Sequence, residues 1–353
     1  MKLQENADLT SYNTLRVPAR AAKLVRLRSE KKLKELIKSG FFESDTLPLG
    51  DGSNLLFVKK NIGSAIKNEI LGSEIVKETK ETVLIKVSSG QNWHELVLFA
   101  TKNNWSGLEN MAYIPGTVGG AAVGNIAAYG QNQEDVFESL TAIDLKTGKL
   151  EKFLKSDCRF SYRESIFKRE LKDKYFVTTV TYLLSKTPQY DVSYHSRYES
   201  LADELAKVAT PPYSIHDIAR AVTALRQYKL PDWNTVGTAG SFFKNPLVGK
   251  RQLKKLLNAI PELQYYPAEK LSYLPPDEMG NDSFQLKVPA GRLLEELGWK
   301  DKKIGNVGTF ERHALVIINY GGTGREIYEF SEMMREDVKK NFGIDLEYEV
   351  RII

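Results

Sequence analysis

The stretch YIPGTVGGAAVGNIAAYG, residues 113–130, decides the fold, because five glycines, four alanines and a Pro-Gly pair in so short a run cannot be built as ordinary core packing. Gly116, Gly119 and Gly120 remove side chains so that backbone N–H groups approach a ligand closely, and successive N–H groups in such turns form a cavity for an anion. A diphosphate is the obvious occupant. Taken alone, the stretch reads equally well as a loop with turn glycines, since a lone glycine motif is a weak signal. The second glycine loop, PLGDGSN at residues 48–54, tips the balance: it follows an apolar lead-in and precedes the apolar run 55–58. Two such loops predict one extended nucleotide.

Working outward, periodicity predicts mixed helix and strand. Residues 23–27 read as a strand, followed by a helix with Ser29 as N-cap, Leu33, Leu36 and Ile37 on one face and Gly40 as its terminator. Residues 82–87 alternate as a strand, and Trp93, Leu96, Val97 and Ala100 share one helical face, which makes Trp93 core. A hairpin turning at Thr147 and Gly148 and a β-branched strand over 175–184 follow. Residues 187–213, with three prolines and no strong period, read as a linker or a mobile lid. Beyond them, Ser214 and Asp217 form a capping box for a helix through Leu225, and Thr323 and Glu326 form another for a helix ending near Gly343. Between these lie helices on Leu253, Leu256, Leu257 and Ile260 and on Leu293, Leu294 and Leu297, the exposed turn-rich segment YLPPDEMGNDSF and the strand HALVIIN. Met333 and Met334 are read as core filling. The final IDLEYEVRII alternates strictly and reads as a half-buried strand whose acidic residues form a solvated face.

Composition narrows the function. At 353 residues the chain is too long for one ordinary core, and 42% hydrophobic with 27% charged residues is a globular balance. A net charge of +5 without like-charge runs predicts no nucleic-acid partner, and no apolar run is long enough to predict a membrane span. Cys158 stands alone, so no internal disulfide or thiolate cluster forms, and the opening MKLQENADLT carries no apolar leader. These features predict a cytoplasmic chain. His94, His195, His216 and His313 show no short-spaced ligand pair, so no metal site is expected.

Two segments carry candidate chemistry. In VGTAGSFFKNP, residues 236–246, Ser241 lies outside any G-x-S-x-G elbow and reads as a proton donor or else a turn serine. In SYRESIF, residues 161–167, Arg163 is suited to bidentate grip of a carboxylate, though surface arginines are common.

NTLRVPA, PLGDGSNLLF, GLENMAYIPGTVGG, NIAAYG, YRESIFK, LRQYKLPD, GTAGSFFKNP, PAGRLLEE and LEYEVRII occur in the order in which they occur in the UDP-N-acetylenolpyruvoylglucosamine reductases of bacterial cell-wall synthesis, and the chain resembles that family over nearly its whole length. The resemblance implies an α+β chain: a two-subdomain FAD-binding fold like that of vanillyl-alcohol oxidase plus a smaller α/β substrate domain. It implies FAD as cofactor, NADPH as electron donor, UDP-N-acetylglucosamine enolpyruvate as substrate, no nucleic-acid or membrane partner, and a monomer. The corresponding domains are 1–70, 71–213 with its tyrosine loop 187–213, 214–322, and a closing helix and strand at 323–353. By the same resemblance Ser241 is the proton donor, with Arg163 and Glu349 as the other catalytic residues. FAD contacts fall on Gly50, Asp51, Gly52, Ser53, Asn54, Leu55, Ile114, Pro115, Gly116, Thr117, Val118, Gly119, Gly120, Asn125, Ala128 and Gly130. Substrate contacts fall on Tyr129, Tyr162, Tyr194, Lys229, Asn245, Tyr266 and Arg351, whose cations suit a diphosphate.

The chain departs from the family pattern at Ala127 and Gly124, at His195 and Ser196 after Tyr194, and in YLPPDEMGNDSF, which looks like an insertion. Two other functions compete: a flavoenzyme of the same fold oxidising an alcohol or lactone, which needs a base where Ser241 offers a proton, and a non-catalytic flavin sensor, which needs none of the three catalytic residues.

Overall fold

The computed structural model describes residues 3–42, 46–188, 190–194, 200–268 and 285–353. YLPPDEMGNDSF and residues 195–199 lie outside them. The chain divides into two compact units, one of Met1–Ala7, Ala21–Asp51 and Gly63–Tyr228, the other of Asp8–Arg20, Gly52–Ile62 and Lys229–Ile353.

Two sheets build the first unit. A four-stranded sheet runs in the order Leu3–Asp8, Arg20–Leu27, Asn61–Asn68, Leu47–Leu49, the last two strands parallel. The Glu30–Lys38 helix covers it because Ser29 accepts the Lys32 N–H and Leu33 and Leu36 face inward onto Val25, Leu27 and Ile66. Gly40 ends the helix at φ +69°, as its place in the sequence predicts. A five-stranded antiparallel sheet follows, ordered Leu150–Leu154, Phe137–Asp144, Tyr175–Ser185, Thr82–Ser88, Ser73–Glu78. Helices Trp93–Lys102, Val118–Gly124, Leu201–Val208 and Ile215–Lys229 supply buried residues to the core shared with this sheet, at whose centre Trp93 meets Tyr182 edge-on at 6.0 Å. The helix expected to open a substrate domain at 214 therefore packs in the first unit through Ile218, Val222 and Leu225.

The second unit is built on the antiparallel sheet Gly237–Ser241, His313–Asn319, Val307–Phe310, Lys303–Ile304, with helices Lys250–Ala259, Ala290–Glu296 and Gly324–Phe342. Gly324 is required where it stands: a Cβ there would lie 1.6 Å from the Phe57 carbonyl oxygen.

Three expectations need correction. Residues 187–213 are not an unpacked lid throughout, because Ser200 caps the Leu201–Val208 helix and Leu201 and Leu205, one turn apart, are fully buried. IDLEYEVRII is not one regular strand. Its burial alternates as expected, but the backbone it crosses spans only Phe242 to Lys244, after which Arg351–Ile352 pairs in parallel with Leu55–Leu56. Met333 is 41% exposed and only Met334 fills the core.

Candidate functional site

The first unit carries the glycine loops. Thr117 caps Val118–Gly124, but the first amides of that helix bond within the chain: Val118 to the Gln91 carbonyl at 2.9 Å, Gly119 to the Ser89 carbonyl at 2.8 Å and Gly120 to Thr117 Oγ1 at 3.3 Å. A Cβ on Gly119 would come within 2.8 Å of Ser89 Cβ, so this glycine lets the helix press against the end of the Thr82–Ser88 strand. Close packing within the chain accounts for Gly119, whereas Gly120 is exposed and a Cβ there would meet only Thr117 Oγ1, at 3.4 Å. Ile114, Pro115 and Gly116 stay partly exposed, with Gly116 at φ +120°. Upstream, a Cβ on Gly50 would meet Thr117 Oγ1 at 2.8 Å, and Lys67 bonds both the Gly50 carbonyl, at 2.7 Å, and Asp51, at 2.8 Å. Gly50 and Asp51 belong to this unit, while Gly52, Ser53, Asn54 and Leu55 belong to the other.

AYG forms a two-residue hairpin. Ala127–Ala128 pairs with Gln131–Asn132, and Tyr129 and Gly130 both have positive φ, the pairing that a type I′ turn requires. Asn125, itself left-handed at φ +42°, donates to the Ser161 carbonyl at 2.8 Å and so pins the Ser161–Glu164 turn. Arg163 occupies that turn at φ +57° and donates to the Ala127 carbonyl at 2.9 Å, while Lys168 donates to the Arg163 carbonyl. Glu164, buried, takes both Arg169 nitrogens at 3.0 and 2.9 Å. The geometry thus explains YRESIFK as a rigid mount for Arg163. Tyr162 lies beside it, and the Tyr194 ring meets Tyr129 edge-on at 5.0 Å.

Two residues of this region escaped sequence reasoning. Glu109 is fully buried and accepts from Ser106 Oγ and the amides of Gly107 and Leu108. Asn110 donates to the carbonyls of Tyr129 and Asp191, joining the hairpin to the tyrosine segment. The signal available was a carboxylate and an amide inside the otherwise apolar GLENMA.

In the second unit, the Gly237–Ser241 strand advances from Thr238 to Ser241 while its partner advances from Ile318 to Val316. This is a bulge: the extra residue, with Gly240 at φ +69°, re-aims Ser241 out of the ladder's alternation. The next carbonyl, Phe242, accepts the Glu349 N–H at 3.0 Å, and Lys244 N–H donates to the Glu347 carbonyl at 2.8 Å. Ser241 and Glu349, 108 residues apart in sequence, are therefore neighbours. Asn54 holds the same strand, donating to the Glu349 carbonyl and accepting from the Arg351 N–H. Asn245 accepts from the Ala290 N–H, and Tyr266, whose phenol burial pushes upward in pKa, donates to Gln264. The pKa of His313 is pushed to about 3 chiefly by burial, with the charges of Lys229 and Lys300 adding to it.

Burial pushes the Cys158 thiol to about 12, so it offers no thiolate. Among the described residues no group of His, Cys, Asp or Glu is placed to hold a metal, and no helix is long and apolar enough to cross a membrane. Three buried oxygens around the hairpin and the Arg163 turn, Asn110 Oδ1, Gln133 Oε1 and Ser161 Oγ, have no hydrogen-bond partner among the described residues. Two acceptors and a hydroxyl left in this way fit a flavin, whose ring edge carries both donors and acceptors.

Residues 21–153 match the model of an FAD binding domain, and residues 231–353 match that of the UDP-N-acetylenolpyruvoylglucosamine reductase C-terminal domain. The crystal structure of the Thermus caldophilus UDP-N-acetylenolpyruvylglucosamine reductase shares the fold, with a TM-score of 0.65 at 20% identity over 99% of this chain and 98% of that one. The FAD-binding and reductase domain matches together define an FAD-dependent oxidoreductase. Full-length relatives called UDP-N-acetylenolpyruvoylglucosamine reductase are 38% identical in Flavobacterium johnsoniae, over 100% of both chains, and 36% identical in Pseudomonas aeruginosa, over 99% of this chain and 98% of the relative. The chain belongs to the UDP-N-acetylenolpyruvoylglucosamine reductase family.

Proposed function

We propose that the chain, in the cytoplasm, reduces UDP-N-acetylglucosamine enolpyruvate to UDP-N-acetylmuramate for peptidoglycan synthesis, with NADPH as electron donor and Ser241 as proton donor. The observation that carries this reading is the Ser241–Glu349 neighbourhood: Ser241 stands on a bulge, and the backbone N–H of Glu349 donates to the carbonyl of the adjoining Phe242. The loops around Gly50–Leu55 and Ile114–Gly130 would hold FAD, which, once reduced by NADPH, would supply the hydride for the enol double bond. Addition of hydride leaves negative charge on the carbon beside the substrate carboxylate, and a proton must arrive there. Ser241 Oγ delivers that proton, Arg163 grips the carboxylate and stabilises the enolate-like charge, and Glu349 hydrogen-bonds within the same set. Hydride and proton together saturate the double bond. Tyr129, Tyr162, Tyr194, Lys229, Asn245, Tyr266 and Arg351 bind the UDP-sugar, the cations taking its diphosphate.

Ser241→Ala tests the assignment. In anaerobic stopped flow the mutant should bleach with NADPH at nearly the normal rate, while recolouring on addition of the enolpyruvyl substrate slows by about 100- to 10,000-fold, the usual loss of a general acid. Equal slowing of both half-reactions would make the substitution structural and Ser241 no proton donor.

A further inference from the structure

The glycine loop is sewn to the first turn of the Trp93–Lys102 helix. Trp93 N–H donates to the Gly116 carbonyl at 2.9 Å and its indole N–H to the Met111 carbonyl at 3.0 Å. Between those anchors, Tyr113 is left-handed at φ +56°, a conformation that a tyrosine adopts only when its surroundings hold it there. Both of its peptide groups are held by side chains: its N–H donates to His94 Nδ1 at 3.0 Å, and its carbonyl accepts from Arg226 Nε at 2.8 Å. Its ring meets the His94 ring edge-on, 5.7 Å between centroids. The next residues are Ile114, Pro115 and Gly116, each partly exposed.

We propose that His94 and Arg226 are positioning residues for the flavin loop, holding Tyr113 in its left-handed turn so that residues 114–116 stand preformed for FAD, and that a proton on His94 releases the loop. This rests on the reading of that loop as a flavin contact. The chemistry is specific about protonation state. His94 Nδ1 is an acceptor here, so the imidazole must be neutral at that nitrogen. Burial is the main cause that disfavours the imidazolium, Arg226 from the Ile215–Lys229 helix acts with it, and Glu95 on the same helix as His94 opposes them more weakly, so that His94 is held below its ordinary pKa of 6.5. A depressed histidine pKa means that the folded loop prefers the neutral ring. The benefit is complete above pH 6.5 and fades as pH falls toward the depressed value. Below it, Tyr113 N–H faces a donor and two cations face each other.

The test follows FAD release from the holoenzyme by flavin fluorescence between pH 8 and pH 5, in wild type, His94→Leu, His94→Asn and Gly116→Val (pH limits chosen as roughly 1.5 units either side of the histidine value). Leu removes the acceptor and should weaken FAD binding about five- to thirty-fold at pH 8, the range for a buried donor left without its partner. Asn keeps an oxygen near the position of Nδ1 and takes up no proton, so it should bind near wild type at pH 8 and stay tight at low pH where wild type loosens. If the Leu variant fails to fold, the comparison of Asn with wild type decides alone. Acid loosening as steep in His94→Asn as in wild type overturns the proposal, as does unchanged affinity in His94→Leu when Gly116→Val weakens binding. Unchanged affinity in Gly116→Val as well shows that the loop does not touch FAD, which removes the reading beneath the proposal and the proposal with it.

Discussion

Two carboxylates on the closing segment look interchangeable in sequence and are not. Glu347 pairs with Lys244 Nζ at 2.7 Å, and that lysine side chain is only 7% exposed, so Glu347 belongs to a partly buried ion pair that clamps the segment across Phe243. Glu349 is held by its backbone, between the Phe242 carbonyl and Asn54, which sets its position beside Ser241. Glu349→Gln should therefore lower turnover by about 100-fold or more with little change in melting temperature. Glu347→Gln should do the reverse, costing about 1 kcal/mol of stability, moderated by the exposure of Glu347, with near-normal turnover. Steady-state kinetics and thermal melts on both variants check this. Similar kinetic losses at equal folded fraction would remove Glu349 from the catalytic set.

The tyrosine-bearing segment behaves as an element with assigned parts. Tyr190 is committed to structure, its hydroxyl donating to the Tyr213 carbonyl at 2.8 Å, and Asn110 fixes the Asp191 carbonyl. Tyr194 is placed differently, half-buried with its ring against Tyr129. Tyr194→Ala should weaken UDP-sugar binding by about 1 to 3 kcal/mol and leave bleaching by NADPH unharmed. Tyr190→Phe should lower stability and leave the dissociation constant near normal. Calorimetric titration of each variant with the UDP-sugar decides, and no change for Tyr194→Ala would leave the segment a packed connection without a ligand.

At the scale of the molecule, the two compact units are interleaved in sequence: residues 8–20 and 52–62 belong with 229–353. Leu9, Leu15, Leu56 and Phe57 in those early segments are fully or almost fully buried. Within the second unit, Asn319 donates to the Leu15 carbonyl, Thr238 N–H to the Thr14 carbonyl, and Arg351–Ile352 pairs with Leu55–Leu56. A fragment of residues 1–228 keeps one complete core and strands these two segments without the other, so it should bind a hydrophobic dye strongly and aggregate where the full chain does not. A monodisperse, dye-silent fragment by light scattering would show that the segments find cover without residues 229–353.

Local signals alone settled much of this protein. Capping boxes at Ser214 and Thr323, the glycine stop at Gly40 and the alternation of 82–87 are short-range physics, and each element forms where its residues place it. The family was legible because nine short motifs keep their order along the chain. Tertiary structure decided what depends on partners distant in sequence. The alternation of IDLEYEVRII is real, but whether it is a strand depends on how much backbone crosses it, and that is three residues of a different segment. Gly119 reads as a ligand glycine until Ser89 is found against it, and His94 reads as one more helix residue until Tyr113 is found bonded to it. Glu347 and Glu349 look alike until Lys244 is found paired with the first and Phe242 and Asn54 bonded to the backbone of the second. Periodicity records which face of a segment is buried, whereas hydrogen-bond and charge partners are set by the path of the whole chain.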